Sequence, residues 1–158
     1  MSEPSADKRC SALVPPELEG HLGFLLSRCR QKLIDQLDVL MARDQLSIRH
    51  FVLVSLLERR GGMSQAEIGE FMLLDRTTTM KLVSELQARG LLARRRRRDD
   101  RRANAVDLTD AGREWLRARM PEVLREESTF LSPLSQGEQA LMKELLVRLM
   151  VGAPSRPA

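Results

Sequence analysis

Hydrophobic residues recur at helical spacing along most of the chain. The first such stripe repeats every three or four positions and consists of Leu18, Leu22, Leu25, Cys29, Leu33, Leu37 and Leu40. This spacing places the residues on one face of a helix of about six turns. A second, shorter helix is predicted over 48–58, which is strongly apolar and is followed by Gly61 and Gly62.

Capping signals divide the next segment into two helices. Ser64-Gln65-Ala66-Glu67 has the pattern of a capping box, in which a serine and a later glutamate satisfy free backbone N–H groups. It predicts a short helix over 65–72. Asp75 is the next N-cap and opens a helix over 76–89. Gly90 ends that helix, because glycine adopts the left-handed conformation without strain.

Two short segments, 91–96 and 103–108, predict a β-hairpin with its tip at 97–102. The second segment alternates, with one side formed by Asn104, Val106 and Leu108 and the other by Ala105 and Asp107. Strict alternation of this kind is typical of a strand with one face on the core.

Two more helices are predicted after the hairpin. Thr109 caps the first, whose inner face is expected to be Trp115, Leu116, Val123, Leu124 and Phe130. Pro121 lies inside this helix and predicts a kink or a break, because proline lacks a backbone N–H. Ser135-Gln136-Gly137-Glu138 is a second capping box, and it opens a last amphipathic helix through Leu141, Leu145 and Leu149.

A short helix, a tight turn, a second helix and a hairpin form a winged helix-turn-helix. The predicted fold class is therefore mainly α with a small β-hairpin wing. The terminal helices carry more apolar surface than a small winged-helix core covers, so either a second chain covers them or they pack on their own domain. We divide the chain into a flexible arm (1–16), a first helix for dimerisation (17–46), the winged helix-turn-helix (47–112), C-terminal dimerisation helices (113–151) and a flexible tail (152–158).

Positive charge is concentrated in one segment of this 158-residue chain, whose formal net charge is +4. Residues 76–102 contain ten basic and three acidic residues and carry +7, so the rest of the chain carries −3. A local basic block on a slightly acidic protein indicates a polyanionic partner, and nucleic acid is the first candidate. Only 3% of the residues are aromatic, which favours a duplex over unpaired bases that stack on aromatic side chains.

The helix over 76–89 has the composition of a DNA-recognition helix. Its outer face is Arg76, Thr77, Thr78, Lys81 and Ser84, and its inner face is Met80 or Thr79 together with Val83 and Leu86. Hydroxyls and long cations suit the bases and phosphates of the major groove. The alternative is a solvated helix face whose threonines act as caps.

The hairpin tip is richer still in cations. Seven of the nine residues at 94–102 are arginines, namely Arg94, Arg95, Arg96, Arg97, Arg98, Arg101 and Arg102. A protruding turn with arginines suits the negative potential of the minor groove. Asp100 precedes Arg102 by two residues, and a carboxylate there can orient the guanidinium in a bidentate pair. The alternative is a disordered basic loop or a solvated charge run, and the two aspartates argue against a simple polybasic segment.

The segment 86–112 resembles the wing of the MarR (multiple-antibiotic-resistance regulator) family. The pattern of that family is roughly L-x-x-x-G-x-(V/L)-x-R, a short link, D-x-R and then L-T-x-x-G. Here it is met by Leu86, Gly90, Leu92, Arg94, Asp100-Arg101-Arg102 and Leu108-Thr109-Asp110-Ala111-Gly112. The sequence departs from it at Asp99, where many members have proline, and at the unusually basic Arg95–Arg97.

The resemblance implies a dimeric transcription regulator, by default a repressor, that binds near-palindromic duplex DNA. By this match Arg76, Thr77, Thr78 and Lys81 face the major groove, Asp100 orients Arg102 in the minor groove, and Ser64 and Gln65 contact phosphate. The expected DNA-binding residues, from charge pattern and resemblance together, are Ser64, Gln65, Arg76, Thr77, Thr78, Lys81, Arg95, Arg96, Arg97, Arg98, Asp100, Arg101 and Arg102.

The resemblance also implies a small aromatic or anionic effector whose binding releases DNA. His21, Arg49 and His50 are the candidate effector-binding residues, with structural hydrogen bonds as the alternative role. Cys29 lies on the apolar stripe and is expected to be a small core residue rather than a redox sensor. Members of the family that sense organic hydroperoxides use a cysteine partnered by a tyrosine, and this sequence contains no tyrosine.

Other classes of function find less support. No phosphate loop, nucleophile elbow, metal-ligand set or triad is visible, so no catalytic residue, metal or cofactor is expected. A basic module that binds RNA or protein without sequence-specific DNA recognition is the alternative function. The cysteines fit no disulfide framework, and neither a signal peptide nor a membrane-spanning stretch is visible. We therefore expect a cytoplasmic protein without a membrane partner.

Overall fold

The computed structural model describes residues 14–95 and 105–152, with the side chain of Arg95 excepted. Six helices and one hairpin follow one another within those residues. In chain order they are α1 (Leu22–Met41), α2 (Ile48–Arg60), α3 (Gln65–Met72), α4 (Arg76–Ala88), β1 (Leu92–Arg95), β2 (Ala105–Leu108), α5 (Asp110–Phe130) and α6 (Gln136–Val151). Short 3₁₀ turns at Pro16–Leu18 and Ala42–Asp44 flank α1. The predicted winged helix-turn-helix with terminal helices is confirmed.

Local capping sets the helix boundaries, as the sequence predicts. The backbone N–H of Glu67 donates to Ser64 Oγ (3.2 Å), and the Ser64 N–H donates back to the Glu67 carboxylate (2.7 Å). Ser135 and Glu138 make the same reciprocal pair at the start of α6. Thr109 accepts the N–H of Gly112 and begins α5. Each cap satisfies backbone donors that have no partner inside the helix.

The wing is an antiparallel hairpin in which Leu92 pairs with Leu108 and Arg95 with Ala105. Met63, in the linker between α2 and α3, adds a bridge to Val106 through two backbone hydrogen bonds of 2.8 and 3.0 Å. Both sides of β2 are covered at this point, since Ala105 is buried like Val106. The linker contributes to the burial of Ala105, since a Cβ on Gly62 would lie 3.6 Å from its Cβ.

The core joins the C-terminal part of α1 to α2, α3, α4, the hairpin and α5. Leu37 and Leu40 are buried in it, whereas Leu22, at the other end of the same stripe, is 61% exposed. Cys29 is exposed, so its prediction as a core residue is wrong. The periodicity identifies the apolar face correctly, but only part of that face is covered within this chain.

Helix α5 continues through Pro121, so the predicted break does not occur. Leu116 and Val123, on either side of the proline, are buried in the core and hold both halves of the helix. Leu124 is 55% exposed, so its place on the inner face is a wrong prediction. In α6, Leu141, Leu145 and Leu149 are likewise exposed within the single chain.

A polar clamp joins the turn after α1 to α5. The Asp44 carboxylate accepts hydrogen bonds from Trp115 Nε1 (2.7 Å) and from Arg119 Nε and Nη2 (2.7 and 2.9 Å). These bonds, of which those from Arg119 have the largest effect, hold the pKa of Asp44 below its usual value against the opposing effect of burial. The clamp fixes the terminal helix α5 against the turn that leads into the winged helix-turn-helix, because bidentate Arg–carboxylate pairs are geometrically specific.

Candidate nucleic-acid interface

Helix α4 begins at a strong N-cap. Asp75 accepts the backbone N–H of Thr78 (2.9 Å) and also its hydroxyl proton (2.5 Å). Both bonds favour the ionised carboxylate, and they lower the pKa of Asp75. The cap therefore fixes the first turn of the predicted recognition helix, which includes Arg76 and Thr77.

The two faces of α4 are clearly divided. Thr79, Leu82, Val83 and Leu86 are buried, whereas Met80 is 45% exposed, which settles the alternative between Thr79 and Met80. Thr79 packs closely on α3, since a Cβ on Gly69 would lie 3.0 Å from the Thr79 hydroxyl. The opposite face presents Arg76, Thr77, Lys81 and Ser84 to solvent, with Thr78 half-buried.

Three of the predicted DNA-binding residues line one shallow groove. Ser64 and Gln65 at the start of α3 meet Arg76 of α4 there, in a groove of about 560 Å³. Arg94 of β1 completes its wall. Arg94 is missing from our predicted DNA-binding set, although it is the arginine that ends the first part of the wing pattern. The groove thus brings two cations and a helix N-terminus together with one carboxylate, that of Glu70, and this excess of positive charge suits phosphate.

The wing starts from a fixed base. The Thr109 hydroxyl donates to the carbonyl of Gly90 (2.7 Å), and the Thr109 N–H donates to that of Leu91 (3.2 Å). These bonds join the end of α4 to the start of α5 across the hairpin. The predicted wing contacts Arg96, Arg97, Arg98, Asp100, Arg101 and Arg102 lie outside the described residues, and so does the side chain of Arg95.

A separate, mainly apolar cavity of about 600 Å³ lies behind the helix-turn-helix. Its walls come from α1, α2, α5 and the turn between α3 and α4, with Leu33, Phe51 and Leu74 among the apolar lining. The ionisable groups on its wall are Arg30, Arg49 and Glu127. The excess of cations over anions, together with the apolar surface, suits a small aromatic anion.

The three predicted effector-binding residues do not lie together. Arg49 lines the cavity, whereas His21 is an exposed residue that precedes α1. His50 is buried and hydrogen-bonded to Ser47 and Glu85 rather than placed on the cavity wall. Arg30 and Glu127 were missed because the cavity joins helices that are far apart in the sequence.

Comparison with known proteins identifies the family. The regulator PecS of Dickeya dadantii is 31% identical over 121 residues, which are 74% of this chain and 73% of PecS. The sequence model of the MarR family matches residues 44–103. The chain belongs to the MarR family. It is therefore a helix-turn-helix transcriptional regulator and not an enzyme.

Solved structures agree with this assignment of the MarR-family chain. PcaV of Streptomyces coelicolor, solved with its natural ligand, is 28% identical, with a TM-score of 0.71 over 98% of this chain and all of PcaV. BpsR of Bordetella bronchiseptica, whose DNA binding is regulated by 6-hydroxynicotinic acid, is 26% identical, with a TM-score of 0.75. That match covers 89% of this chain and 99% of BpsR. In the described part of the MarR-family chain, no helix has the length and apolar character needed to cross a bilayer.

Proposed function

We propose that this regulator is a homodimeric repressor that binds near-palindromic duplex DNA and releases it when a small aromatic anion binds. The observation that carries the DNA-binding role is the groove shared by Ser64, Gln65, Arg76 and Arg94 beside the exposed face of α4. Cations from both the recognition helix and the wing border it, so one phosphate backbone can contact both. Thr77, Thr78 and Lys81 contact the bases of the major groove. Arg102, oriented by Asp100, enters the minor groove.

The dimer is supported by the apolar surface of the terminal helices. Leu22, Leu124 and Leu141 are between 53% and 61% exposed, and Leu149 is 68% exposed. Exposed apolar surface on this scale commonly marks a site of protein–protein contact. A second copy of the chain is the natural cover, because two such copies also place two recognition helices on successive major grooves.

We expect sequence-specific binding to duplex DNA from the region upstream of the regulator's own gene. In gel-shift titrations, that duplex should bind at least about 100-fold more tightly than a scrambled duplex or an RNA of the same length. Arg102→Ala should weaken binding to the upstream duplex about tenfold, which is the range expected for one specific groove contact. Its unfolding midpoint should not change.

Arg59→Ala is the matched control, because it removes the same charge from an exposed position of α2 outside both the groove lining and the terminal helices. Equal binding to all three nucleic acids would instead identify a general basic module for RNA or protein. An Arg102→Ala variant that binds like the control would exclude the wing contact.

The effector role is supported by the cavity and by two relatives. PcaV is known with a natural ligand, and BpsR responds to 6-hydroxynicotinic acid. Here the cavity offers the guanidinium groups of Arg30 and Arg49 to an anion and an apolar wall to a ring. Because one wall is the turn between α3 and α4, a bound molecule contacts the helix-turn-helix directly.

A small aromatic carboxylate should bind this cavity through Arg49. We expect benzoate or 6-hydroxynicotinate to raise the melting temperature of the protein and to release the upstream duplex. Arg49→Gln should raise the dissociation constant about tenfold, since a charged hydrogen bond contributes roughly 1.5 kcal/mol or more. Arg59→Gln, on an exposed part of the same helix, is the control. The proposal fails if neither acid at millimolar concentration has an effect, or if both variants respond equally.

A further inference from the structure

The first turn of α2 is hydrogen-bonded to α1 and, through His50, to α4. The backbone N–H of Ile48 donates to Asp38 Oδ1 of α1 at 2.6 Å. The backbone N–H of Ser47 donates to Nδ1 of His50 at 3.0 Å. This turn is therefore held by α1 on one side and by the ring of His50 on the other.

The hydrogen bond to Ser47 fixes the tautomer of His50. Because a backbone N–H can only donate, Nδ1 must accept, and the ring proton lies on Nε2. Nε2 then donates to Glu85 Oε2 of α4 at 2.8 Å. The His50 side chain is 8% exposed and that of Glu85 42% exposed. Burial of the ring thus shields this bond from water on the histidine side. Hydrogen bonds to a charged group are stronger where water is excluded.

Glu85 extends this connection to the outer face of α4. Its other oxygen, Oε1, lies 4.0 Å from Nζ of Lys81, one helical turn earlier. Lys81 is 77% exposed and is one of the proposed DNA contacts. A polar chain therefore runs from the buried start of α2, through His50 and Glu85, to a cation that faces the DNA.

We propose that His50 and Glu85 are positioning residues that set the recognition helix for specific DNA binding. This inference rests on the proposed entry of α4 into the major groove. His50 contacts no DNA in this arrangement. It fixes the Glu85 carboxylate, which holds the middle of α4 against α2 and orients Lys81. Loss of the bond should reduce discrimination between DNA sequences more than total affinity, because non-specific binding depends on charge alone.

Matched substitutions at each residue distinguish loss of the His50–Glu85 hydrogen bond from loss of the side chain or its charge. Glu85→Gln and Glu85→Ala remove the same negative charge, but only glutamine retains an acceptor for His50. His50→Asn places an oxygen where the ring has Nδ1 and leaves no donor towards Glu85. His50→Gln places an amide donor near the position of Nε2. Glu85→Ala should fold normally, because alanine favours helices and the site is half-exposed.

The experiment measures the affinity of each variant for two duplexes. One is the duplex that the wild-type protein selects as its tightest ligand from a random pool, and the other is a scrambled form of it. We expect Glu85→Ala and His50→Asn to lose about tenfold in the ratio of the two affinities, which corresponds to 1.4 kcal/mol. The two glutamine variants should stay within about twofold of the wild type. The double variant Glu85→Ala/His50→Asn should be no worse than either single one, because both remove the same bond.

The inference is overturned if Glu85→Ala discriminates as well as Glu85→Gln, or if His50→Asn discriminates as well as His50→Gln. Failure of the proposed function is recognised separately. In that case, the wild-type protein itself would select no preferred duplex, and the positioning role would be excluded with it.

Discussion

Replacing Gly112 by alanine should lower the free energy of unfolding by about 2 to 3 kcal/mol, a typical cost of overpacking. A Cβ at this position would lie 2.2 Å from the carbonyl oxygen of Leu91 and 3.1 Å from Cδ2 of Leu108. The carbonyl cannot simply move away, because it accepts hydrogen bonds from the N–H and the hydroxyl of Thr109. The close approach explains why glycine ends the L-T-x-x-G part of the wing pattern.

Gly137→Ala is the control for helix propensity. Gly137 also lies in the first turn of a helix, and a Cβ there would meet nothing within 4 Å. Alanine should therefore leave stability unchanged or raise it by up to about 1 kcal/mol. Urea denaturation followed by circular dichroism compares the two variants at one protein concentration. Equal stabilities would mean that the wing base accommodates a methyl group, contrary to the geometry.

Replacing Leu145 by glutamate should convert the protein from a dimer to a monomer. Leu145 is 43% exposed and lies between Leu141 and Leu149 on one side of α6. If a second chain covers this face, the substitution buries an unpaired carboxylate in the interface, at a cost of several kcal/mol. The dimer dissociation constant should rise by at least about 100-fold. Affinity for the operator should fall as well, because the two half-sites are no longer linked.

Leu73→Glu is the matched control for that substitution. Leu73 is 91% exposed on the turn between α3 and α4, so the same exchange takes place outside α6, the helix that is tested. Sedimentation velocity over a range of concentrations should show a dimer for this variant and for the wild type. A Leu145→Glu protein that remains dimeric would show that α6 lies outside the interface.

Local signals in the sequence predict the helix boundaries well. Ser64, Asp75 and Ser135 each begin a helix at the expected residue, because a cap depends on atoms only three positions away. Burial is harder to predict from the same pattern. Cys29 lies on the correctly identified apolar face of α1 but is exposed in the single chain, and Leu124 lies outside the buried face of α5. Periodicity identifies the face that needs cover, while the cover itself depends on what packs there.

Only part of the candidate site could be predicted from the sequence. The exposed residues of α4 follow from its amphipathic pattern and its cap. The cavity does not, because Arg30, Arg49 and Glu127 come from three helices that only the tertiary fold brings together. His50 illustrates the same difficulty, since its partner Glu85 is 35 positions away in the sequence.

The base of the wing also determines which partner must change shape on binding. Met63 bonds Val106 on one side of the hairpin, and Thr109 bonds Gly90 and Leu91 on the other. The spacing between the recognition helix and the wing root is thereby fixed before any DNA arrives. A duplex that contacts both must adjust its own groove width and bend to match that spacing. Sequences that deform easily should then be favoured even at base pairs that no side chain touches.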